Sequence, residues 1–425
     1  MSINADRMTP VQWKTFIAAF LGWTLDAFDF FIVLVILPEL SKAFDAPLLH
    51  VAAATTLTLA FRPLGALIFG WFADKYGRRI PLMIDVGLYS LLGLVTAFSP
   101  NLTFFLVVRA FFGIAMGGEW GLGAALAMES LPASKRGIMS GVLQEGYAVG
   151  NLLSGFVLFA IFPILVNDFG ANAWRGMFVI ATLPALLILY IRSQVPESPA
   201  WQAGKASRVA IGRDVLIEAL RRSWPLFIFG LLFMASFNFM SHGSQDPYVT
   251  FLRVQRGLTP QLAGSINLIA AIGAILGGIV FGWLSQRYGR RWMIIAAAVL
   301  GIIFIKIWTG GMTYTSLAAG GFLMQFAVQG AWGIIPAHLN EISPALARGT
   351  FPGFVYQIGN LIASGTLQIV TAIAVSLGTA TTPDFATAMS YFMYFAFGAV
   401  IIFSLIGFLV KPENREASFL AEPAS

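Results

Sequence analysis

GWFADKYGRR at residues 70–79 returns as GWLSQRYGRR at 282–291, an offset of 212 residues. The same offset lays Trp120-Gly121 on Trp332-Gly333, and Glu129, Pro132, Arg136 and Gly137 on Glu341, Pro344, Arg348 and Gly349. An offset of 209 pairs Phe28-Asp29-Phe30 with Phe237-Asn238-Phe239. One register held over so many positions marks an internal duplication. Two like halves in parallel repeat are what a rocking transporter needs, with its substrate site between them near mid-bilayer.

Composition agrees. Of 425 residues, 58% are hydrophobic and only 11% charged, whereas a soluble domain carries about a quarter of charged residues. Most of the surface must therefore face hydrocarbon. A membrane span needs roughly 20 mostly apolar residues. Twelve such stretches are read at about 13–38, 51–73, 81–99, 102–127, 138–165, 174–193, 225–250, 261–284, 292–311, 315–338, 350–376 and 386–410. The expected fold is an all-α membrane protein of twelve transmembrane helices in two six-helix bundles related by a pseudo-twofold axis. The first bundle is expected over residues 1–194, a cytoplasmic linker over 195–224 and the second bundle over 225–425. Within the linker, RDVLIEALRR (213–222) has the spacing of a short amphipathic helix lying on the membrane surface. The run from Trp13 to Leu37 is too long for a signal core of roughly 7–15 residues, so it is expected to be a retained first span.

Lysine and arginine crowd into the termini and the even-to-odd loops, among them Lys75, Arg78, Arg79, Lys135, Arg136, Arg221, Arg222, Arg287, Arg290 and Arg291. Lys42, Arg175, Arg253 and Arg256 fall on the other side. The positive-inside bias places both termini in the cytoplasm, in a plasma membrane or bacterial inner membrane. The basic residues share no soluble face, so the net charge of +6 does not point to nucleic acid. With no cysteine, disulfides and thiolate metal sites are excluded. No phosphate-binding loop, nucleophile–base pair or metal spacing is present, so neither an enzyme nor an ATP-driven pump is expected, and no cofactor is called for.

The repeated loop resembles the signature between the second and third spans of the major facilitator superfamily. RAFFGIAMGGEWG (109–121) resembles that superfamily's fourth-helix motif, and PESPAW (196–201) its sugar- and metabolite-porter branch. Ser285-Gln286 replaces Ala73-Asp74 in the second loop, so the lock there should be weaker or built differently. Asp74, Arg78, Arg79, Glu129, Arg136, Glu341 and Arg348 are read as latches between helices rather than substrate ligands.

Ionised side chains inside spans are costly and tend to pair or to line a cavity. Arg62 lies 12 residues before Asp74, about 18 Å deep at 1.5 Å per residue. Its guanidinium fork matches a carboxylate in two parallel hydrogen bonds; the alternative is a permanent ion pair with an aspartate of span one. Asp26 and Asp29, three apart, share a face of that span. Their repeat mates are Ala235 and Asn238. A carboxyl in a low-dielectric cavity tends to hold a proton, and an adjacent arginine opposes this. A substrate anion occupying the arginine would free the aspartate to protonate. Arg109 in span four is the other possible partner, and all four charges could instead be static counter-ions.

Span seven carries NFMSHGSQDPYVT (238–250), with Asn238, Ser241, His242, Gln245 and Asp246 on one helical stripe. Asn238, Ser241, His242, Ser244, Gln245, Asp246 and Thr250 together resemble the signature of Jen-type lactate permeases. That resemblance implies a proton-coupled monocarboxylate carrier, lactate and pyruvate foremost, in a group that also holds sialate symporters. His242, whose ordinary pKa lies near neutrality, is the natural second proton site, though a membrane histidine is often only a packing residue. Asp246 could instead serve as a gate at the outer mouth.

Gln357 and Asn360 share a face of span eleven, continued by Ser364, and the same resemblance implies that this amide pair helps select the substrate; interhelix bonding is the alternative. Gln144, Tyr147 and Asn151 form a similar stripe in span five. Glu119, Glu145 and Lys306 are read as buried charges without an assigned role. The expected partners are a small carboxylate, protons and the lipid bilayer, with a monomer as the working unit. The alternatives are a proton symporter for a larger acid such as sialate or an aromatic acid, and a non-transporting sensor. The sensor would be expected to carry a long soluble extension, and the chain ends about 15 residues after span twelve.

Overall fold

A computed structural model describes residues 7–183, 185–204, 215–379, 381–413, 415 and 419. Every regular element among them is helical. The first half comprises span one (Pro10–Val35), span two (Leu48–Tyr76) and span three (Arg79–Ala97). Span four is Leu102–Met116 continued by Glu119–Ser130, span five is Arg136–Gln144 continued by Gly146–Ala160, and span six is Ala173–Ile180 with Ala185–Gln194.

The second half comprises span seven (Val215–Gln245), span eight (Pro260–Tyr288) and span nine (Arg290–Gly310). Span ten is Tyr314–Trp332 with Ile335–Ile342, span eleven Phe351–Ala363 with Thr366–Leu377, and span twelve Phe385–Val410.

Among the described residues eleven helices are long and apolar enough to cross a membrane. The twelfth span is span five, which is broken at Glu145 and carries Gln144 and Asn151 toward the molecular centre. The predicted surface helix over 213–222 lies partly outside the described residues. From Val215 onward the chain is helical and forms the first part of the span-seven helix, which kinks at Ser223 (φ −127°, ψ 21°).

Glycine sets how closely the spans approach, and it does so twice in one register. A methyl added at Gly65 of span two would meet the Ile114 carbonyl of span four at 1.8 Å; at Gly277 of span eight it would meet the Phe326 carbonyl of span ten at 2.1 Å. The two pairs are related by the 212-residue offset, so the sequence repeat is a repeat of backbone-to-backbone packing. Small residues of this kind drive helix association in lipid, where apolar burial gains nothing.

On the side of the chain termini the two halves close against each other. The Asp74 carboxylate accepts hydrogen bonds from Gly349 N (2.7 Å), Thr350 N (2.9 Å) and Thr350 Oγ1 (2.7 Å). At the equivalent place in the second loop, Gln286 Oε1 accepts one from Gly137 N at 3.2 Å. The second lock is thus built from one amide bond where the first has three bonds to a carboxylate. Within each half, Arg78 forks onto Glu129 (3.2 and 2.9 Å) and Arg290 onto Glu341 (3.1 and 2.7 Å), while Ser198 of PESPAW donates to Glu129. Lys306 corrects the reading of it as a buried charge. It is exposed on span nine, four residues before Gly310, where its stem can carry the ammonium toward the membrane edge.

Candidate functional site

A cavity of about 530 Å³ lies between the halves, within the range of small-molecule sites. Its mouth includes Leu34 and Val249, near the ends of spans one and seven remote from the closed side. Its floor is aromatic. Trp23 stacks on Tyr147 (5.6 Å between ring centroids), and Tyr356 lies 4.6 Å from Trp120 and 5.6 Å from Trp332. Gln144 is fixed there, its Oε1 accepting from Trp120 Nε1 and its backbone oxygen from Trp23 Nε1, both at 3.3 Å.

Arg62 reaches this cavity from span two. The next residue is Pro63, which lacks the N–H that would bond the Leu59 carbonyl one turn back. Arg62 Nη2 donates to Asp26 Oδ2 at 3.0 Å, and both side chains are buried. Arg62 Nε and Asp26 Oδ1 have no hydrogen-bond partner, so the pair holds unused capacity on each side. Arg109 makes the parallel pair with Asp29 (Nη1 to Oδ1, 3.2 Å) and lies 3.7 Å above the Phe112 ring. Each arginine therefore owns one aspartate.

Across the cavity the span-seven stripe is assembled. His242 Nδ1 lies 3.0 Å from Asp246 Oδ2 and His242 Nε2 lies 2.8 Å from Asn360 Oδ1 of span eleven. Both ring nitrogens face oxygen acceptors, an arrangement used in full only when both carry a proton; the neutral ring donates to one. Gln245 Nε2 donates to Gln325 Oε1 (3.2 Å), and Gln325 Nε2 to Ser244 Oγ (3.1 Å). The Asn238 amide donates to the Met234 carbonyl at 2.8 Å.

The cavity lining thus includes Arg62, Asn238, His242, Gln245, Asp246, Asn360, Gln144 and Tyr147. Asp26, Asp29, Arg109 and Gln357 are not among its lining residues. The two aspartates and Arg109 are buried behind Arg62, inside the first half. Gln357 is buried with neither amide atom partnered. The sequence reading passed over Asn267, Gln325 and Gln329, although Gln325 and Gln329 stand four apart on span ten and both line the cavity. It also passed over Asp85, which is fully buried with neither carboxylate oxygen hydrogen-bonded, as is Glu119.

A helical bundle pair enclosing a polar cavity between its halves is the architecture of a multi-pass membrane transporter. The Major Facilitator Superfamily profile matches residues 19–366, and the chain belongs to that family.

The chain is 30% identical over 388 residues to a carboxylic acid transporter protein homolog of Saccharomyces cerevisiae, covering 87% of this chain and 62% of that protein; it therefore spans less than two thirds of that relative's length. It is 29% identical over 414 residues to a probable 4-methylmuconolactone transporter of Cupriavidus pinatubonensis (96% and 92% covered). It is 28% identical over 366 residues to the sialic acid transporter NanX of Escherichia coli (83% and 85%). Among solved structures, the proton:xylose symporter XylE superposes with a TM-score of 0.77 at 18% identity, covering 96% of this chain and 98% of that one, a likeness of fold.

Proposed function

We propose that this chain is a proton-coupled symporter of small monocarboxylates, lactate and pyruvate foremost, working by alternating access as a monomer. It belongs in a plasma membrane, the inner membrane in a bacterium, with both termini cytoplasmic. In that orientation the closed side faces the cytoplasm and the cavity opens outward.

One observation carries the reading: Arg62 and the His242–Asn360 pair face the same cavity from opposite halves. The guanidinium is held by a single hydrogen bond to Asp26, with its Nε unpartnered, and its fork suits a carboxylate, while the amide and imidazole suit a hydroxyl or keto oxygen beside it. An anion on Arg62 competes with Asp26, which then takes up a proton instead of remaining a buried unpaired charge. Arg109 and Asp29 would stand behind this exchange, while His242 with Asp246 provides a second proton site at the mouth. The relatives named as a carboxylic acid transporter homolog and a sialic acid transporter agree with this chemistry.

A second reading is symport of a larger organic acid, sialate or aromatic. It is favoured by the volume of the cavity and by the further polar lining from Asn267, Gln325 and Gln329.

Proteoliposomes test both. An acid-outside gradient should drive uptake of labelled lactate, and a protonophore should abolish it; unchanged uptake removes proton coupling. In a competition panel, pyruvate should displace lactate, and stronger displacement by sialate or benzoate would move the substrate to the larger acids.

A further inference from the structure

The closed side is sealed by two seams in which backbone meets backbone. In one, Gly137 and Gly141 of span five lie on Gly282 and Gly278 of span eight; added methyls would meet the Gly282 carbonyl at 2.5 Å and the Gly278 carbonyl at 2.3 Å. Residues 137, 141 and 145 stand four apart, on one helical face. The next step of this seam is therefore Glu145, at the helix break where the seam ends and the cavity begins. Glu145 Oε1 is pressed on Gly278, where a methyl would come within 2.1 Å, and has no hydrogen-bond partner. The residue also lines the cavity.

The other seam is its repeat mate. Gly349, just before span eleven, packs near Asp74 and Gly353 of span eleven packs against Gly121, and the 212-residue offset carries Glu145 onto Gln357. The fold thus accepts an uncharged amide of the same shape at this register point. Gly278 of span eight, on which Glu145 is pressed, also lies near the Gln329 carbonyl of span ten, and Trp23 of span one lies against Gly146, the residue after Glu145. Among the described residues Glu145 makes no salt bridge.

We infer that Glu145 is a coupling carboxyl of the transport cycle, a proton-carrying residue at the meeting point of the two halves. This rests on the symport reading above and adds a residue to it. An unpaired carboxylate pressed into a seam is costly, so the protonated form favours the closed seam. A proton enters from the cavity while the seam is shut. When the seam parts, Glu145 meets water on the terminal side and releases the proton there. Raising the pH with no substrate present should therefore open the seam.

The chain has no cysteine, so Tyr76→Cys and Tyr288→Cys, at exposed equivalent ends of spans two and eight, admit one spin-label pair across the closed side. In lipid nanodiscs, pulsed electron resonance should show the longer separation gaining population as pH rises. Glu145→Gln should hold the short separation at every pH, and Glu145→Asp should retain the response.

In proteoliposomes a one-unit gradient coupled to one proton supports about tenfold accumulation of lactate. Glu145→Gln should abolish that accumulation while keeping lactate counterflow. A Glu145→Gln protein that widens with pH as its parent does, or that accumulates lactate normally, overturns the inference. So does a parent whose separation ignores pH. Failure of the unmodified protein to accumulate lactate overturns the substrate reading alone, because the distance measurement uses no substrate.

Discussion

His242 Nε2 lies 2.8 Å from Asn360 Oδ1, tying span seven to span eleven across the cavity wall. Hydrogen bonds to a charged partner are worth about 1.5–3 kcal/mol, so His242→Ala should lower the initial rate of pH-driven uptake by roughly ten- to a hundredfold. Equilibrium exchange should fall much less. Equal loss in both assays would assign His242 to packing.

Arg62→Ala should abolish binding, read as loss of lactate-induced thermal stabilisation. It also strands Asp26, and breaking a buried pair costs about 3–5 kcal/mol. The double variant Arg62→Ala/Asp26→Ala should regain most of the lost stability and none of the binding. Restored binding in the double variant would move the substrate carboxylate elsewhere.

The two locks should differ in strength. Asp74→Ala removes three accepted hydrogen bonds between the halves and Gln286→Ala one. The spin-label pair across the closed side should therefore show a larger open population for Asp74→Ala. The reverse order would mean that the loops do not hold the gate.

Gly65→Ala should be poorly tolerated, since its methyl would meet a backbone carbonyl that has no rotamer to yield. Overpacking of this kind costs about 1–3 kcal/mol, measurable as a lower Tm in detergent. Gly155→Ala, where nothing lies within 4 Å of the added methyl inside the Gly146–Ala160 helix, should leave Tm unlowered or slightly raised.

The duplication, the twelve spans and the charged mid-membrane positions were legible because each is a pattern along the chain: an offset, a hydropathy run, a charge where none is cheap. The span-seven stripe was legible for the same reason, being one face of one helix. What periodicity does not carry is how far a helix is rotated relative to its neighbours. Gln357 and Asn360 share a helical face in projection, yet only Asn360 lines the cavity. Likewise Asp26 and Asp29 stand three apart but are drawn to different arginines on different spans. Glu145 was visible as a charge, but its place beneath the cavity depends on which glycines of the opposite half it meets, a relation between residues more than a hundred positions apart.

The unequal loops at Asp74 and Gln286 bear on the path of the motion as well as its strength. A gate held by three bonds at one edge and one at the other will not part evenly; it peels. The edge that gives way first is the one beside Gln286, where spans five and eight meet. Water arriving from the side of the chain termini would thus wet that flank before the other, and the released solute would leave along an off-centre path rather than straight down the molecular axis.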